Sequence, residues 1–408
     1  MSQAKASRRA RHERLPIDDA YLLATLRRLV DIPSPTGYTD PIVHFVGEEL
    51  SRLGVPFELT RRGAIRADLA GKECSPDRAL VAHLDTLGAM VKNLKSNGRL
   101  EIVPIGNWSS RFIEGARVTV LTDRQTRRGT VLPVKASGHT FGAGIDALPV
   151  AWGSVEVRVD ESCHSAPDLE ALGFHVGDTI AVDPAPEFCD NGYIVSRHLD
   201  DKAGVAILLA VARAIVASGV QPAVECHLLF TISEEVGSGA SAILHGDIAE
   251  MVSIDNSIPA PGQASTERGV TIAMADSTGP FDWHLTHGLI DLCVEHRIPH
   301  ARDVFPNYRC DAASAIESGC DIRTALICFG TDGSHGYERT HLSSLRNLAD
   351  LIGLYLQTPR VIPRDRFKLG PLKDFPTQPD PETEESARPA PTPGPPRKSG
   401  GGGASDKK

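Results

Sequence analysis

Two patterns of hydrophobic residues divide this chain of 408 residues, and together they limit the fold to a few architectures. In residues 16–91 and 195–360, short apolar runs such as "ALVAHLD" alternate with helical segments such as "KAGVAILLAVARAIVASG". Strands that alternate with helices are typical of an α/β domain with a mostly parallel sheet. Residues 92–194 instead hold short β-type runs separated by Gly, Asp and Pro. The sequence therefore predicts an α/β domain that carries a small inserted β-barrel-like domain.

The two ends of the chain have a different composition. Residues 1–15 are polar and basic, and residues 371–408 are rich in Pro, Gly and charged side chains. Such segments bury too little apolar surface to offset the entropy of ordering, so both are predicted to be disordered. The C-terminal segment is interpreted as a solvated extension, with an interaction arm as the alternative.

Composition argues against several classes of protein. The net charge of −9 argues against nucleic acid as the main partner. No apolar run reaches the roughly 20 residues of a membrane span, and no apolar segment follows the basic N-terminus as in a secretory signal. The eight cysteines show no CxxC pairs or regular spacing, which is typical of reduced thiols. We therefore predict a cytoplasmic protein without nucleic-acid or membrane partners.

Side chains suited to metal binding stand where the predicted strands end and where the long helix begins. Any one of them could be an ordinary solvated group, but the carboxyl ends of parallel strands meet at one crevice. Carboxylates with two or three histidines and no cysteine pair suit zinc, or cobalt or manganese. The candidates, in chain order, are His83, Asp85, Asp200, Asp201, Glu234, Glu235, Asp255, His335 and His341.

The adjacent carboxylates of "HLDDKAG" need an explanation, because they repel each other at the mouth of a helix. One Asp alone would serve as a helix N-cap. Two metal ions roughly 3.5–4 Å apart need a shared ligand. A carboxylate can bridge them through its two oxygens, whereas a neutral imidazole offers one lone pair. We therefore predict that Asp200 bridges two divalent metal ions, whose charge removes the repulsion.

The ordered set of motifs resembles a known family. "HLD" after a strand, "LDDKAG" before a helix, "SEEVG", "IDNS" and "SHGYE" are similar to motifs of the co-catalytic di-zinc exopeptidases. More narrowly, they resemble the TET (tetrahedral) or glutamyl aminopeptidase family. The resemblance covers about residues 18–357, and "PIGNWSSRFIEGARVTV" is similar to that family's β domain. A further likeness is to the branch found with bacterial osmoprotectant (N-acetylglutaminylglutamine amide) systems.

The resemblance implies a ligand set for two metal ions, with zinc as the first expectation. One ion would be held by His83 and Asp255, and the other by Glu235 and His335. Asp200 would lie between them as the shared ligand, in agreement with the prediction from the residues themselves.

The resemblance also implies roles beside the metal ions. Glu234 would be the general base, since one glutamate of the pair must stay free to accept and return a proton. Asp85, two residues after His83, would hold the second imidazole nitrogen of that histidine. The peptide bond between Asp200 and Asp201 is expected to be cis.

The last histidine ligand departs from the family pattern, which places it after Arg-Tyr and before Ser-Pro. In "GTDGSHGYERTH", His335 is favoured by the nearby Glu338, and His341 is the alternative. Asp311, in "YRCDAASAIESG", matches a family Thr-Asp-Ala stretch and is expected near the site, with helix capping as the alternative. The remaining histidines are interpreted as structural or solvated, with His139 as the one to check.

The resemblance implies a metal-dependent aminopeptidase that removes N-terminal residues from peptides. One alternative is a metal-dependent deacylase or amidohydrolase acting on a small acylated, peptide-like metabolite. Another is an inactive scaffold or binding protein. The expected partners are short peptides or peptide-like small molecules and other copies of the chain, because the family commonly assembles into closed shells, often dodecamers.

Overall fold

A computed structural model describes residues 12–244 and 246–379. The predicted disorder of residues 1–11 and 380–408 lies outside the described residues. Residues 12–370 belong to one compact unit, and residues 371–379 belong to another. Residues 12–15 differ from the predicted disorder, because Leu15 is buried and Arg14 Nη1 lies 2.9 Å from Asp350 Oδ2.

The helices of the described residues begin and end at recognisable signals. The first is capped by Asp18, whose side chain accepts a hydrogen bond from the N–H of Tyr21. The second ends at Gly54, whose left-handed φ of 74° suits glycine. The helices are α1 (Asp19–Asp31), α2 (Asp40–Leu53), α3 (Gly138–Phe141), α4 (Ala166–Ala171), α5 (Leu199–Ser218), α6 (Trp283–Glu295), α7 (Asp311–Glu317) and α8 (Leu342–Leu356).

The strands of the described residues fall into a large sheet, a closed barrel and a small sheet. They are β1 (Phe57–Leu59), β2 (Ile65–Leu69), β3 (Glu73–His83), β4 (Gly88–Leu94), β5 (Leu100–Ile105), β6 (Arg117–Leu121), β7 (Thr126–Pro133), β8 (Val155–Val159), β9 (Thr179–Val182), β10 (Glu187–Phe188), β11 (Tyr193–Ser196), β12 (Val224–Thr231), β13 (Ile248–Ser257), β14 (Val270–Asp276), β15 (Gly279–Pro280), β16 (His300–Val304), β17 (Arg323–Gly330) and β18 (Glu338–His341).

The large sheet is mixed, with the order β1-β2-β12-β3-β13-β17-β14-β15 and with β16 paired to β14. Its central strands β12, β3, β13 and β17 are mutually parallel. The neighbours on each side, β2 and β14, pair with this block in the antiparallel sense. The predicted α/β fold is confirmed, and the four parallel strands all end at the same edge of the sheet.

The inserted segment forms a closed barrel of six strands in the order β4-β5-β8-β7-β6-β9. Inward-facing side chains such as Val118, Val131 and Val157 are completely buried and fill its interior. The predicted β-barrel-like insertion is therefore confirmed. Its strands occupy residues 88–182, and the predicted domain boundaries at residues 92 and 194 stay a proposal.

Helix α5 packs against α1, α8 and the central strands of the large sheet. Its sequence is apolar on every side, as expected of a helix surrounded by protein. A Cβ added at Gly204 would lie 2.3 Å from Asp201 Oδ1, so this glycine lets the carboxylate lie across the first turn. None of the helices in the described part of the chain is both long enough and apolar enough to cross a bilayer.

Candidate metal centre

The predicted site residues meet at the edge where the parallel strands end. His83 is the last residue of β3 and lies opposite Thr231, after which the chain continues to Glu234. On the other side of β3, Ser253 of β13 lies opposite Val81, so Asp255 follows two residues later on the neighbouring strand. This arrangement follows from strand direction alone, and it gathers residues far apart in the sequence.

Asp200 lies between two histidines. Its Oδ1 is 3.1 Å from Nε2 of His83, and its Oδ2 is 3.5 Å from Nε2 of His335. Glu235 Oε2 lies 4.0 Å from the same nitrogen of His335. His83, Asp200 and Glu235 each offer a ligand atom within 4.8 Å of the others. One carboxylate thus has an imidazole facing each of its oxygens, as a bridging ligand would require.

His83 is oriented by the backbone of Asp85. Its Nδ1 lies 2.8 Å from the Asp85 carbonyl oxygen, so an N–H at Nδ1 leaves the Nε2 lone pair free to bind an ion. The Asp85 carboxylate is farther away, with Oδ1 at 3.6 Å from Nδ1. This differs from the expectation that the carboxylate holds the ring, and the reason is that β3 ends at His83. Beyond the strand, the side-chain alternation used for the prediction no longer applies.

The Asp85 carboxylate instead orders the segment that carries the two glutamates. Oδ1 accepts a hydrogen bond from the N–H of Glu234 at 3.1 Å, and Oδ2 accepts one from Glu235 at 3.3 Å. The Thr36 hydroxyl also donates to Oδ2, at 2.7 Å. Asp85 therefore links the turn after His83 to the backbone of both glutamates.

Acidic side chains are concentrated at this edge, where Asp200 and Asp255 are buried and Glu234 and Glu235 are partly buried. Glu234 Oε2 lies 3.8 Å from His83 Nε2. Burial raises the pKa of Glu234 and of Glu235 well above the usual range, and neighbouring carboxylates raise it further. Burial and the Asp200 charge raise the pKa of Asp255 to about 7. Such a cluster is costly unless cations balance it, which fits the chemistry of a site for divalent ions.

The two candidate histidines occupy different places. Burial lowers the pKa of His335, but Asp200 and Glu235 outweigh burial and raise it to about 10. His341 instead caps α8, where Nδ1 accepts a hydrogen bond from the N–H of Ser343. The structure thus brings His335, and not His341, against the acidic cluster.

Glu338 positions both sides of the cluster, a role that the sequence did not reveal. Its Oε2 accepts hydrogen bonds from the N–H groups of Leu199 and Asp200, at 2.7 and 3.2 Å. Its Oε1 accepts one from the N–H of His335 at 3.0 Å. Asn256, in the "IDNS" motif, donates from Nδ2 to Asp200 Oδ2. The motifs contain both residues, but only the three-dimensional contacts show these roles.

Asp201 and Asp311 form hydrogen bonds to the segments that carry the proposed ligands. The bond between Asp200 and Asp201 is cis, and Asp201 Oδ2 accepts a hydrogen bond from the N–H of His83 at 3.1 Å. Asp311 accepts from the Thr231 hydroxyl and from the N–H of Ala240, both at 2.7 Å. It therefore holds the two ends of the segment that carries the glutamates. His139, on α3 in the insertion, is exposed.

A second group of potential ligands lies on the large sheet, where Asp77 and Glu225 approach His227. Nε2 of His227 is 2.9 Å from Nη2 of Arg66, and Nδ1 is 2.6 Å from Asp68 Oδ1. Because a guanidinium already faces the ring nitrogen, this group is a hydrogen-bonded ion network on the sheet.

Comparison with known proteins gives one consistent result. The family profile described as "M42 glutamyl aminopeptidase" matches residues 63–351. The chain is 38% identical over 337 residues to "Putative aminopeptidase YhfE" of Bacillus subtilis (strain 168), covering 82% of this chain and 97% of that protein.

Two solved structures are similar in fold at low sequence identity. The TET aminopeptidase from the marine sediment archaeon Thaumarchaeota archaeon SCGC AB-539-E09 has a TM-score of 0.77 and 18% identity, covering 85% of this chain and 98% of that one. The Pyrococcus horikoshii TET1 peptidase, described as assembling into a tetrahedron or a large octahedral shell, has a TM-score of 0.73 and 19% identity. That comparison covers 82% of this chain and 99% of the other.

Proposed function

The chain belongs to the M42 glutamyl aminopeptidase family and is an aminopeptidase, a hydrolase of peptide bonds. From this premise we propose that it removes N-terminal residues from short peptides, using water activated by two divalent metal ions. The observation that carries the proposal is the Asp200 carboxylate, which has His83 facing one oxygen and His335 facing the other.

The donor set fits two divalent ions. His83 and Asp255 would hold one ion, and Glu235 and His335 the other, with Asp200 shared. Imidazole nitrogens and carboxylate oxygens suit zinc, with cobalt and manganese as alternatives. The excess of buried carboxylates supports the presence of two metal ions in this place. The described side chains around these carboxylates supply too little positive charge to balance them.

When bound, the two ions would supply Lewis-acid activation of water and stabilise developing negative charge. Glu234 would accept a proton from the attacking water and return it to the amine of the leaving group. Its position supports this role, because Glu234 Oε2 lies 3.8 Å from His83 Nε2, beside the proposed ligands. Asp85, bonded to the Glu234 backbone, would keep that base in place.

The Glu234→Gln variant tests the proposed base. We expect hydrolysis of aminoacyl-p-nitroanilides and dipeptides, with added zinc or cobalt, to fall at least about 100-fold. Metal content measured by elemental analysis should stay at the wild-type level, because the substituted amide keeps the size of the side chain. Glu48→Gln, an exposed change on α2, serves as the control. Wild-type hydrolysis by Glu234→Gln would remove this residue from the role.

The metal requirement has its own test. A chelator should abolish hydrolysis, and zinc, cobalt or manganese added back should restore it, with the stoichiometry measured during restoration. Two ions bound per chain would support the proposed pair. A fully active protein after exhaustive chelation would contradict it.

The two other functions predicted from the sequence are less well supported. A deacylase would favour N-acetylated substrates over those with a free amino terminus, so a comparison of the two substrate types separates the reactions. An inactive scaffold is disfavoured by family membership together with the clustering of His83, Asp200 and Glu235.

We also propose that the chain forms a homo-oligomer, with a dodecamer as the expected state. The similarity in fold to a peptidase that is described as forming a tetrahedron supports this proposal. Light scattering of the purified protein measures the number of copies, and a monomer would contradict it. A cytoplasmic location stays a prediction, in keeping with the eight cysteines, all of which are free thiols.

A further inference from the structure

Arg197 is a half-buried cation beside the candidate metal centre. It lines one cavity together with Asp200, Glu235 and His335. Across the described residues, Arg197 makes no ion pair within 4.0 Å, in contrast to the arginines that pair with carboxylates elsewhere in the chain. Instead of a carboxylate, the ring of Tyr337 lies beside this half-buried cation, with its centroid 5.9 Å from Cζ. The position of this charge beside the centre therefore calls for a role other than making the surface soluble.

The side chain of Arg197 is held in place at one end of the guanidinium. Nη1 donates a hydrogen bond to the carbonyl oxygen of Phe112 at 2.8 Å. The ring of Phe112 lies against Gly336, where an added Cβ would be 3.0 Å from Cδ1 of the ring. Gly336 follows His335, so Arg197 is anchored to the wall that also carries a proposed metal ligand. Its remaining N–H groups make no hydrogen bond to the described part of the chain.

The carboxylate of Glu338 does not neutralise the charge of Arg197. Burial lowers the pKa of the guanidinium, and the charge of Glu338 only partly opposes this effect. Both oxygens of Glu338 already accept backbone N–H groups, from Leu199 and Asp200 on one side and from His335 on the other. The cavity thus holds an anchored cation whose other N–H groups face no acceptor in the described residues, although Asp200, Glu235 and Glu338 also line it.

We propose that Arg197 binds a substrate carboxylate, and that this carboxylate is the C-terminal one of a dipeptide. The planar guanidinium fork matches the two oxygens of a carboxylate. In a dipeptide, one residue, about 3.8 Å of chain, separates the scissile carbonyl from the terminal carboxylate. This short spacing suits the cavity because Arg197 lines it together with the proposed metal ligands.

This inference rests on the proposed function and names its substrate class more narrowly. The test compares an unmodified dipeptide with the same dipeptide amide, which lacks the terminal carboxylate. Arg197→Gln removes the charge but keeps an N–H donor for the Phe112 carbonyl. Arg197→Lys keeps the charge without the fork. Arg213→Gln, on the exposed side of α5 where Arg213 pairs with Asp18, is the matched control.

We expect the wild-type kcat/KM to be at least about tenfold higher for the dipeptide than for its amide. Arg197→Gln should lose this preference by a fall in kcat/KM for the dipeptide alone. Arg197→Lys should retain part of the preference, and Arg213→Gln should retain all of it. Equal losses for both substrates in Arg197→Gln would show that Arg197 only supports the Phe112 wall, which overturns the proposal.

A second arm examines side-chain carboxylates, with Glu- and Gln-p-nitroanilides as substrates. If only the preference for Glu over Gln depends on Arg197, the bound carboxylate belongs to a side chain and the dipeptide assignment is wrong. A binding measurement separates this inference from the proposed reaction. Calorimetric titration of metal-loaded Glu234→Gln with the dipeptide should give an affinity at least about tenfold weaker when Arg197→Gln is added. An unchanged affinity overturns the proposal, whether or not hydrolysis is observed.

Discussion

Replacement of Glu338 by Gln tests how the chain holds the two sides of the metal centre together. Glu338 is fully enclosed, with 1% of its surface exposed. One oxygen accepts the N–H groups of Leu199 and Asp200, and the other accepts the N–H of His335. The carboxylate therefore fixes the backbone at the shared ligand and at a ligand from a distant part of the chain.

The magnitude follows from what an amide can offer in the same place. The substituted side chain would have one acceptor oxygen, and its NH₂ group would face backbone donors in either orientation. At least one hydrogen bond to a charged acceptor is lost, at about 1.5–3 kcal/mol of unfolding free energy. Displacement of the ligands that Glu338 positions should also weaken metal binding by roughly 10- to 100-fold.

The assay is urea unfolding of the metal-free and metal-saturated proteins, with metal affinity measured by competition against a chelator. Burial and the Asp200 charge raise the pKa of Glu338 to about 8, so the comparison belongs near pH 9, where the wild-type carboxylate is ionised. The control is Glu267→Gln, which weakens a surface pair with Arg339 and should cost about 0–1 kcal/mol. Equal stability and metal affinity in Glu338→Gln and the wild type would refute the assigned role.

Two further predictions concern buried charges outside the centre. Arg78→Met leaves Glu250 without its buried partner, at 2.9 Å in the structure, and should lower the unfolding free energy by about 3–5 kcal/mol in urea. A loss below about 1 kcal/mol would show that the pair is dispensable. Burial lowers the pKa of Lys202 from 10.5 to about 7, so between these values the unfolded chain binds the extra proton and stability rises with pH. Relative to Lys202→Met, the wild type should gain up to about 1.4 kcal/mol per pH unit from pH 7 to pH 10, and a constant difference would contradict this.

The centre of the fold could be predicted because its patterns are long and local. Residues 79–82 of β3 and 325–329 of β17 are continuous apolar runs, and α5 is apolar on every side, as expected of buried elements. Strand direction then places the residues after these strands at one edge. For this reason His83 and Asp255 could be assigned to one site without knowledge of any contact.

The small sheet could not be predicted, because its strands are short and pair across long distances in the sequence. In β11 and β18, Tyr193 lies opposite His341 and Ser196 lies opposite Glu338. Strands of four residues give little periodicity, and nothing local indicates the partner. The choice between His335 and His341 depends on this pairing. His335 precedes β18, whereas His341 is the last residue of that strand.

Asp85 shows where side-chain periodicity stops predicting the contacts of a residue. Spacing in a strand predicts which face a side chain occupies, but β3 ends at His83, and the turn exchanges the roles of the Asp85 carbonyl and carboxylate. The carbonyl orients His83, and the carboxylate accepts the N–H groups of Glu234 and Glu235. One residue therefore couples the histidine of one proposed ion to the base and to a ligand of the other. Backbone hydrogen bonds of this kind depend on the path of the chain after a strand, which side-chain periodicity does not encode.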